Sequence, residues 1–176
     1  DMESSKNTDS TFGIYKDLYK SYPKVGVVLQ AYLKRSIADI EKLAGPGFNA
    51  RICKGIYKEN KNIAYHNPED ISKNFLAMAK VMLAKNSYAC FATHDLQLID
   101  DLVSLTKEMD ADPSKFEFQV LYGVPMKGKL KKLLKSGYKV RVYVPYGPDW
   151  YEYSLRRLKE NPNIAGYVIK NLFAKK

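Results

Sequence analysis

Cysteine, histidine and tryptophan are scarce in this chain of 176 residues, which has two, two and one of them. Cys53 and Cys90 each sit inside an apolar run, without metal spacing and without a disulfide framework. They read as buried thiols of a reducing compartment. His66 and His94 form neither HxH nor HExxH, so a metal site has no support. No apolar run approaches the ~20 residues of a membrane helix. The longest, such as Val25-Gly26-Val27-Val28-Leu29, are strand-sized. There is no signal-peptide pattern and no low-complexity stretch. GxGxxG, GxSxG and GxxxxGK[ST] are all missing, which removes support for a Rossmann dinucleotide site, a nucleophile elbow and a P-loop.

What is present is ordinary globular material, 45% hydrophobic and 27% charged. At about 150 residues per domain, residues 1–176 read as one domain. The charge is unevenly placed. Residues 1–123 carry 16 basic and 16 acidic side chains, whereas residues 124–176 carry 13 and 3, which accounts for the whole net charge of +10. Such a basic third suggests an anionic partner: phosphate, carboxylate, nucleic acid or an acidic membrane surface.

Hydrophobic periodicity alternates along the chain. Helices are expected over 10–21, 36–44, 69–85, 96–109, 127–136, 149–160 and 164–173. Strands are expected over 25–31, 50–54, 87–93, 115–122 and 139–145. Ser36 is expected to open the second helix. Glu69 and Asp70 lie at the positive end of the third. Met78 and Met82 read as core. Five strands, each followed by a helix, imply an α/β fold with a parallel sheet. The strands look continuously apolar, which suits a sheet covered by helices.

Polar residues choose between an open doubly wound sheet and a (β/α)₈ barrel. Each strand is expected to end in polar side chains: Gln30, Arg51 with Lys54, Thr93 with His94, Gln119, and Arg141 with Tyr143. Polar ends on every strand favour a barrel, whose strand ends converge on one site. Five strands cannot close it. Asp1-Met2-Glu3-Ser4-Ser5 is expected to be the tail of an earlier strand, so the chain reads as an incomplete TIM-type barrel, from the tail of strand 3 through strand 8.

Three constellations carry chemistry. Tyr143-Val144-Pro145-Tyr146-Gly147 leads into a helix with Tyr153, Arg156 and Arg157 on nearly one face. Two guanidinium forks beside aromatic rings suit a small carboxylate with an apolar body. Arg51-Ile52-Cys53-Lys54-Gly55-Ile56-Tyr57 offers two cations that cannot share a strand face, and a glycine that permits close backbone approach. It suits an anionic or electron-rich cofactor. Lys54 also admits Schiff-base chemistry. Ala92-Thr93-His94-Asp95 adds a hydroxyl and an imidazole.

In this order, these motifs resemble the proline dehydrogenase family of FAD-dependent (β/α)₈ barrels. The matching pieces are Asp1-Met2-Glu3, Gln30-Ala31-Tyr32, Arg51 with Lys54-Gly55 and Tyr57, Ala92-Thr93-His94, Phe118-Gln119 with Leu121-Tyr122-Gly123, and the Tyr143 segment with Tyr153, Arg156 and Arg157. The resemblance implies oxidation of L-proline to Δ1-pyrroline-5-carboxylate, with hydride passing from proline C5 to FAD N5 and electrons going on to a quinone. It implies catalytic roles for Asp1 and Arg51. Met2, Gln30, Arg51, Lys54, Gly55, Ile56, Thr93, His94 and Gln119 would bind FAD. Arg156 and Arg157 would hold the proline carboxylate, with Tyr143, Tyr153, Leu121 and Tyr57 around the ring. Ile56, where the family has alanine, and His66-Asn67, where a Thr/Lys-type contact is expected, depart from the pattern. The resemblance further implies a cytoplasmic protein peripheral at the inner membrane (matrix side in a eukaryote), a homo-oligomer, and no nucleic-acid partner. Two alternatives stay open: a Schiff-base aldolase-type barrel using Lys54, and a basic nucleic-acid or membrane-surface binding module.

Overall fold

The computed structural model describes residues 1–144 and 146–148. The helices expected over 149–160 and 164–173 lie outside the described residues. Five parallel strands form one sheet: β1 (Val27–Gln30), β2 (Asn49–Cys53), β3 (Tyr88–Ala92), β4 (Phe116–Leu121) and β5 (Val140–Tyr143). Helix α1 (Thr8–Ser21) precedes β1, and α2 (Ser36–Leu43), α3 (Pro68–Ala84), α4 (Leu96–Glu108) and α5 (Lys129–Lys135) fill the connections.

The strands stand in the sheet in the order in which the chain makes them. A doubly wound sheet reverses its order at a switch point, and these five strands never do. Right-handed crossovers that always step to the same side leave every helix on the same face. In keeping with this, α2 packs on α3 and α3 on α4. The sheet is an arc of a (β/α)₈-type barrel, as the distribution of polar residues predicts.

Two expectations need correction. Polar and apolar residues alternate in β2, β4 and β5, whereas β1 and β3 are apolar runs as expected, Gln30 apart. Leu29, Ile52, Phe91, Phe118 and Val140 form one register row, with the first four buried in the core. Successive side chains point to opposite faces, so the neighbouring row Val28, Arg51, Cys90, Glu117 belongs to the other face. One face meets the helices and the other the barrel lumen, and they carry different chemistry. Nor do all the polar residues stand at strand tips. Arg51, Gln119 and Arg141 lie within strands, on the luminal face. Gln30 and Tyr143 do end their strands, and Lys54, Thr93 and His94 follow directly.

The outer face is held by burial. Phe91, Phe116 and Phe118 are almost fully buried, with ring centroids 5.6–6.3 Å apart, and Tyr138 closes the cluster. Each such ring contributes roughly 1.5–3 kcal/mol by removal from water. From α3, Phe75, Met78, Ala79 and Met82 enter the same core, at the helical spacing that marks them as core in the sequence.

Local signals place the helices. Asn67 caps α3 through its side chain, with Pro68 behind it and Glu69 and Asp70 in the first turn. Ser36 does not cap α2. Its hydroxyl donates to the Gln30 carbonyl at 2.6 Å, satisfying the last carbonyl of β1 instead. Arg35 sits at that boundary and bridges Asp9 of α1 and Asp39 of α2.

Candidate functional site

The luminal face is a trough of about 620 Å³, lined among others by Asp1, Arg51, Cys90, Glu117, Gln119 and Arg141. The C-terminal strand ends rise beside it. A smaller hollow of about 340 Å³ includes Pro23, Phe48 and Ser114. It lies by the N-terminal ends of the strands, where barrels build stability rather than chemistry.

The opening segment is tied to the C-terminal edge. Arg51 Nη2 donates to Asp1 Oδ1 at 2.6 Å. Gln30 Nε2 donates to the Glu3 carbonyl at 2.7 Å, the Tyr57 hydroxyl donates to the Glu3 carboxylate, and Ser5 N donates to Glu59 Oε1 at 2.7 Å. Met2 is buried in the core cluster.

After β2 the two cations part, as strand alternation requires. Arg51 faces the lumen and pairs with Asp1. Lys54 Nζ reaches Asp95 Oδ2 at 2.6 Å. Gly55 follows at φ +96°, and a Cβ there would stand 2.1 Å from Tyr32 Cδ1. The close approach that demands glycine is therefore to the Tyr32 ring. Backbone bonds from Ala31 N to Cys53 O and from Tyr32 N to Lys54 O lock this turn to the end of β1. Ile56 is exposed and Tyr57 half-buried.

After β3, buried Thr93 accepts from Asp95 N at 3.2 Å through its hydroxyl oxygen. His94 Nε2 accepts from the Leu121 backbone N–H at 2.8 Å. Burial holds this imidazole below its ordinary range, so the ring is neutral at pH 7. With Nε2 accepting, its proton is on Nδ1. The bond also fixes the end of β4, where Leu121 pairs with Tyr143 of β5.

The sequence reading missed Glu117. It is 4% exposed and is the one acidic residue within the described strands. Arg141 Nε donates to Oε1 at 2.6 Å and Arg141 Nη2 to Oε2 at 3.0 Å, while Gln119 Nε2 and the Tyr88 hydroxyl donate at 2.7 and 3.0 Å. Burial alone would raise this carboxyl, but Arg141, Gln119 and Tyr88 together hold it below its ordinary range. Its signal was available in Phe116-Glu117-Phe118-Gln119-Val120, where polar residues alternate with buried apolar ones. Asp95 was missed as well. Its Oδ1 accepts from Gln97 N and Leu98 N, capping α4, while Oδ2 holds Lys54.

Both thiols are out of the chemistry. Burial raises Cys53, and burial beside Glu117 pushes Cys90 up to about 12, so they stay protonated. Tyr153, Arg156 and Arg157 lie outside the described residues. Among the described residues, no cluster of His, Cys, Asp and Glu has the makings of a metal site.

Arg51 and the Gln119 amide thus line the luminal trough, and the Gln30 amide, Lys54 and His94 stand at the C-terminal ends of the neighbouring parallel strands. A polar, aromatic ring system with anionic groups would meet complementary partners there.

Comparison with known proteins agrees. The family model described as proline dehydrogenase matches residues 1–169. Proline dehydrogenase 1 of Bacillus subtilis (strain 168) is 38% identical over 179 residues, covering 99% of this chain and 58% of the relative. Proline dehydrogenase 2 of the same strain is 40% identical over 175 residues, covering 99% and 57%. The chain thus spans under three fifths of the length of these curated relatives. Among solved structures, proline utilization A (PutA) from Bdellovibrio bacteriovorus, inactivated by N-propargylglycine, superposes with a TM-score of 0.80 at 25% identity, covering 91% of this chain and 19% of that one. With its barrel arc, its ordered set of strand-end motifs and a family match along nearly its whole length, the chain belongs to the proline dehydrogenase family.

Proposed function

We propose that this chain carries the flavin and proline sites of an FAD-dependent proline dehydrogenase and forms the C-terminal part of its barrel. The reaction is L-proline to Δ1-pyrroline-5-carboxylate, with a quinone as the final acceptor. The observation that supports the reading is that Arg51 and Gln119 line one trough while Lys54 and His94 directly follow β2 and β3, at the C-terminal end of the same parallel sheet.

The residues present suit FAD. Its phosphates and ring carbonyls need donors, which Arg51, Lys54 and His94 Nδ1–H offer, and its ring N–H needs an acceptor, which the Gln30 and Gln119 amides offer. When bound, FAD would supply the two-electron acceptor for the oxidation of proline. The protein's part is orientation and electrostatics. Asp1 holds the Arg51 guanidinium in place at 2.6 Å. A cation so held favours negative charge developing beside it. Lys54 is similarly fixed by Asp95. Met2, Gly55, Ile56 and Thr93 complete the cofactor side. Leu121, Tyr143 and Tyr57 form the substrate wall, and Tyr153 with the Arg156–Arg157 pair would complete it and bind the carboxylate bidentately.

The Schiff-base alternative fits less well. Lys54 Nζ is engaged by the Asp95 carboxylate at 2.6 Å, whereas a Schiff base needs a free amine. The basic segment 124–176 then serves the substrate carboxylate and peripheral contact with an anionic membrane, where quinone is found. A cytoplasmic or matrix-side homo-oligomer completes the proposal.

The test is the visible spectrum of the intact protein, supplied with FAD and mixed anaerobically with L-proline. Flavin bands that survive desalting and bleach with proline are expected. Bands that persist without bleaching would overturn the substrate, and a colourless protein the cofactor.

A further inference from the structure

Glu117 is more than a buried ion-pair partner. A carboxylate offers about four lone-pair sites and no proton. Here four donors occupy them: Arg141 Nε and Nη2, the Tyr88 hydroxyl and Gln119 Nε2. An ionised, saturated carboxylate can face only the NH₂ end of the Gln119 side chain. The opposite amide orientation would set carbonyl oxygen against carboxylate oxygen at 2.7 Å. The Gln119 carbonyl Oε1 is therefore directed away from Glu117. Gln119 and Glu117 both line the trough.

We propose that Glu117 is a positioning residue. By holding the Gln119 amide in one orientation, it makes Gln119 Oε1 a fixed acceptor for an N–H donor of the bound cofactor. By pairing bidentately with Arg141, it also neutralises a luminal cation other than Arg51. The inference rests on the flavin reading of the trough. It adds that the orientation of a cofactor contact is set by a residue that need not touch the cofactor.

The test is FAD affinity in the intact protein, measured by titrating FAD into apoprotein and following flavin fluorescence, with apoprotein thermal unfolding alongside. Glu117→Gln keeps the shape and removes the charge, so either Gln119 orientation becomes tolerable. The dissociation constant should rise about tenfold, the worth of one oriented hydrogen bond. In a Gln119→Met background the same change should have almost no further effect. Glu117→Asp, which keeps the charge but withdraws the acceptor by one methylene, should weaken FAD in the same direction, and it decides the matter by the same criteria if Glu117→Gln does not fold. A folded Glu117 variant that binds FAD within twofold of the parent overturns the proposal. So does an equal loss with and without the Gln119 amide, which would indicate a merely structural role. A parent protein that binds no FAD overturns the flavin reading itself, and this inference with it.

Discussion

Lys54 Nζ lies 2.6 Å from Asp95 Oδ2, and the other oxygen of that carboxylate caps helix α4. One aspartate thus joins the end of β2 to the start of the helix that follows β3. Burial opposes its charge, but Lys54 and the two helix N–H groups hold it below its ordinary range. Lys54, the cation proposed to face the cofactor, is oriented by the same group that starts the helix.

Substitutions at Asp95 should separate these two tasks. Asp95→Asn retains a good cap and loses the ion pair, so stability should change little while FAD binding weakens severalfold. Asp95→Ala loses both and should cost a further ~1 kcal/mol of stability. Thermal unfolding and FAD titration of the intact protein read the two effects independently.

Gly55 should not tolerate a side chain. Its φ of +96° is strained for any other residue, and a Cβ would overlap the Tyr32 ring. Gly55→Ala is expected to destabilise by roughly 2–4 kcal/mol, combining backbone strain with overpacking. Tyr32→Ala should cost stability alone but relieve part of the added penalty. A urea-denaturation cycle over the two single variants and the double variant measures that coupling.

His94 should make stability sensitive to mild acid. Its folded pKa lies below the ordinary value of about 6.5, so as pH falls the unfolded chain takes up the proton first. Its contribution is complete above that value and is lost as pH falls through the lower, folded one. Protonation also removes the acceptor for Leu121 N–H. Urea midpoints between pH 8 and 5 should decline at the acid end, and His94→Gln should flatten the decline.

The outer-face aromatic cluster should dominate the stability of the arc. Phe91 is fully buried against Phe116 and Phe118. Phe91→Ala is expected to cost about 3–5 kcal/mol, read as a shift in the urea midpoint. Leu134→Ala, on an exposed position of α5, should stay within about 0.5 kcal/mol.

The order and type of the described elements were legible in the sequence, because helix periodicity and strand-sized apolar runs are local properties. The motifs were legible too, since Lys54 and His94 directly follow strand-sized segments and Arg51 and Gln119 lie two residues before the ends of theirs. The barrel was legible as well, in polar residues spread over every strand, and the monotonic strand order bears it out. The partners of the charges were not, because they are set by contacts between distant segments. Arg51 meets Asp1 across 50 residues, Lys54 meets Asp95 across 41, and Arg141 meets Glu117 across 24. Local sequence cannot show such pairs, because only the tertiary fold brings these distant segments together. Glu117 shows the division most clearly. Its alternation with Phe116 and Phe118 marked it as facing away from the core, but only the neighbouring strands turned that exposed position into a buried, saturated carboxylate.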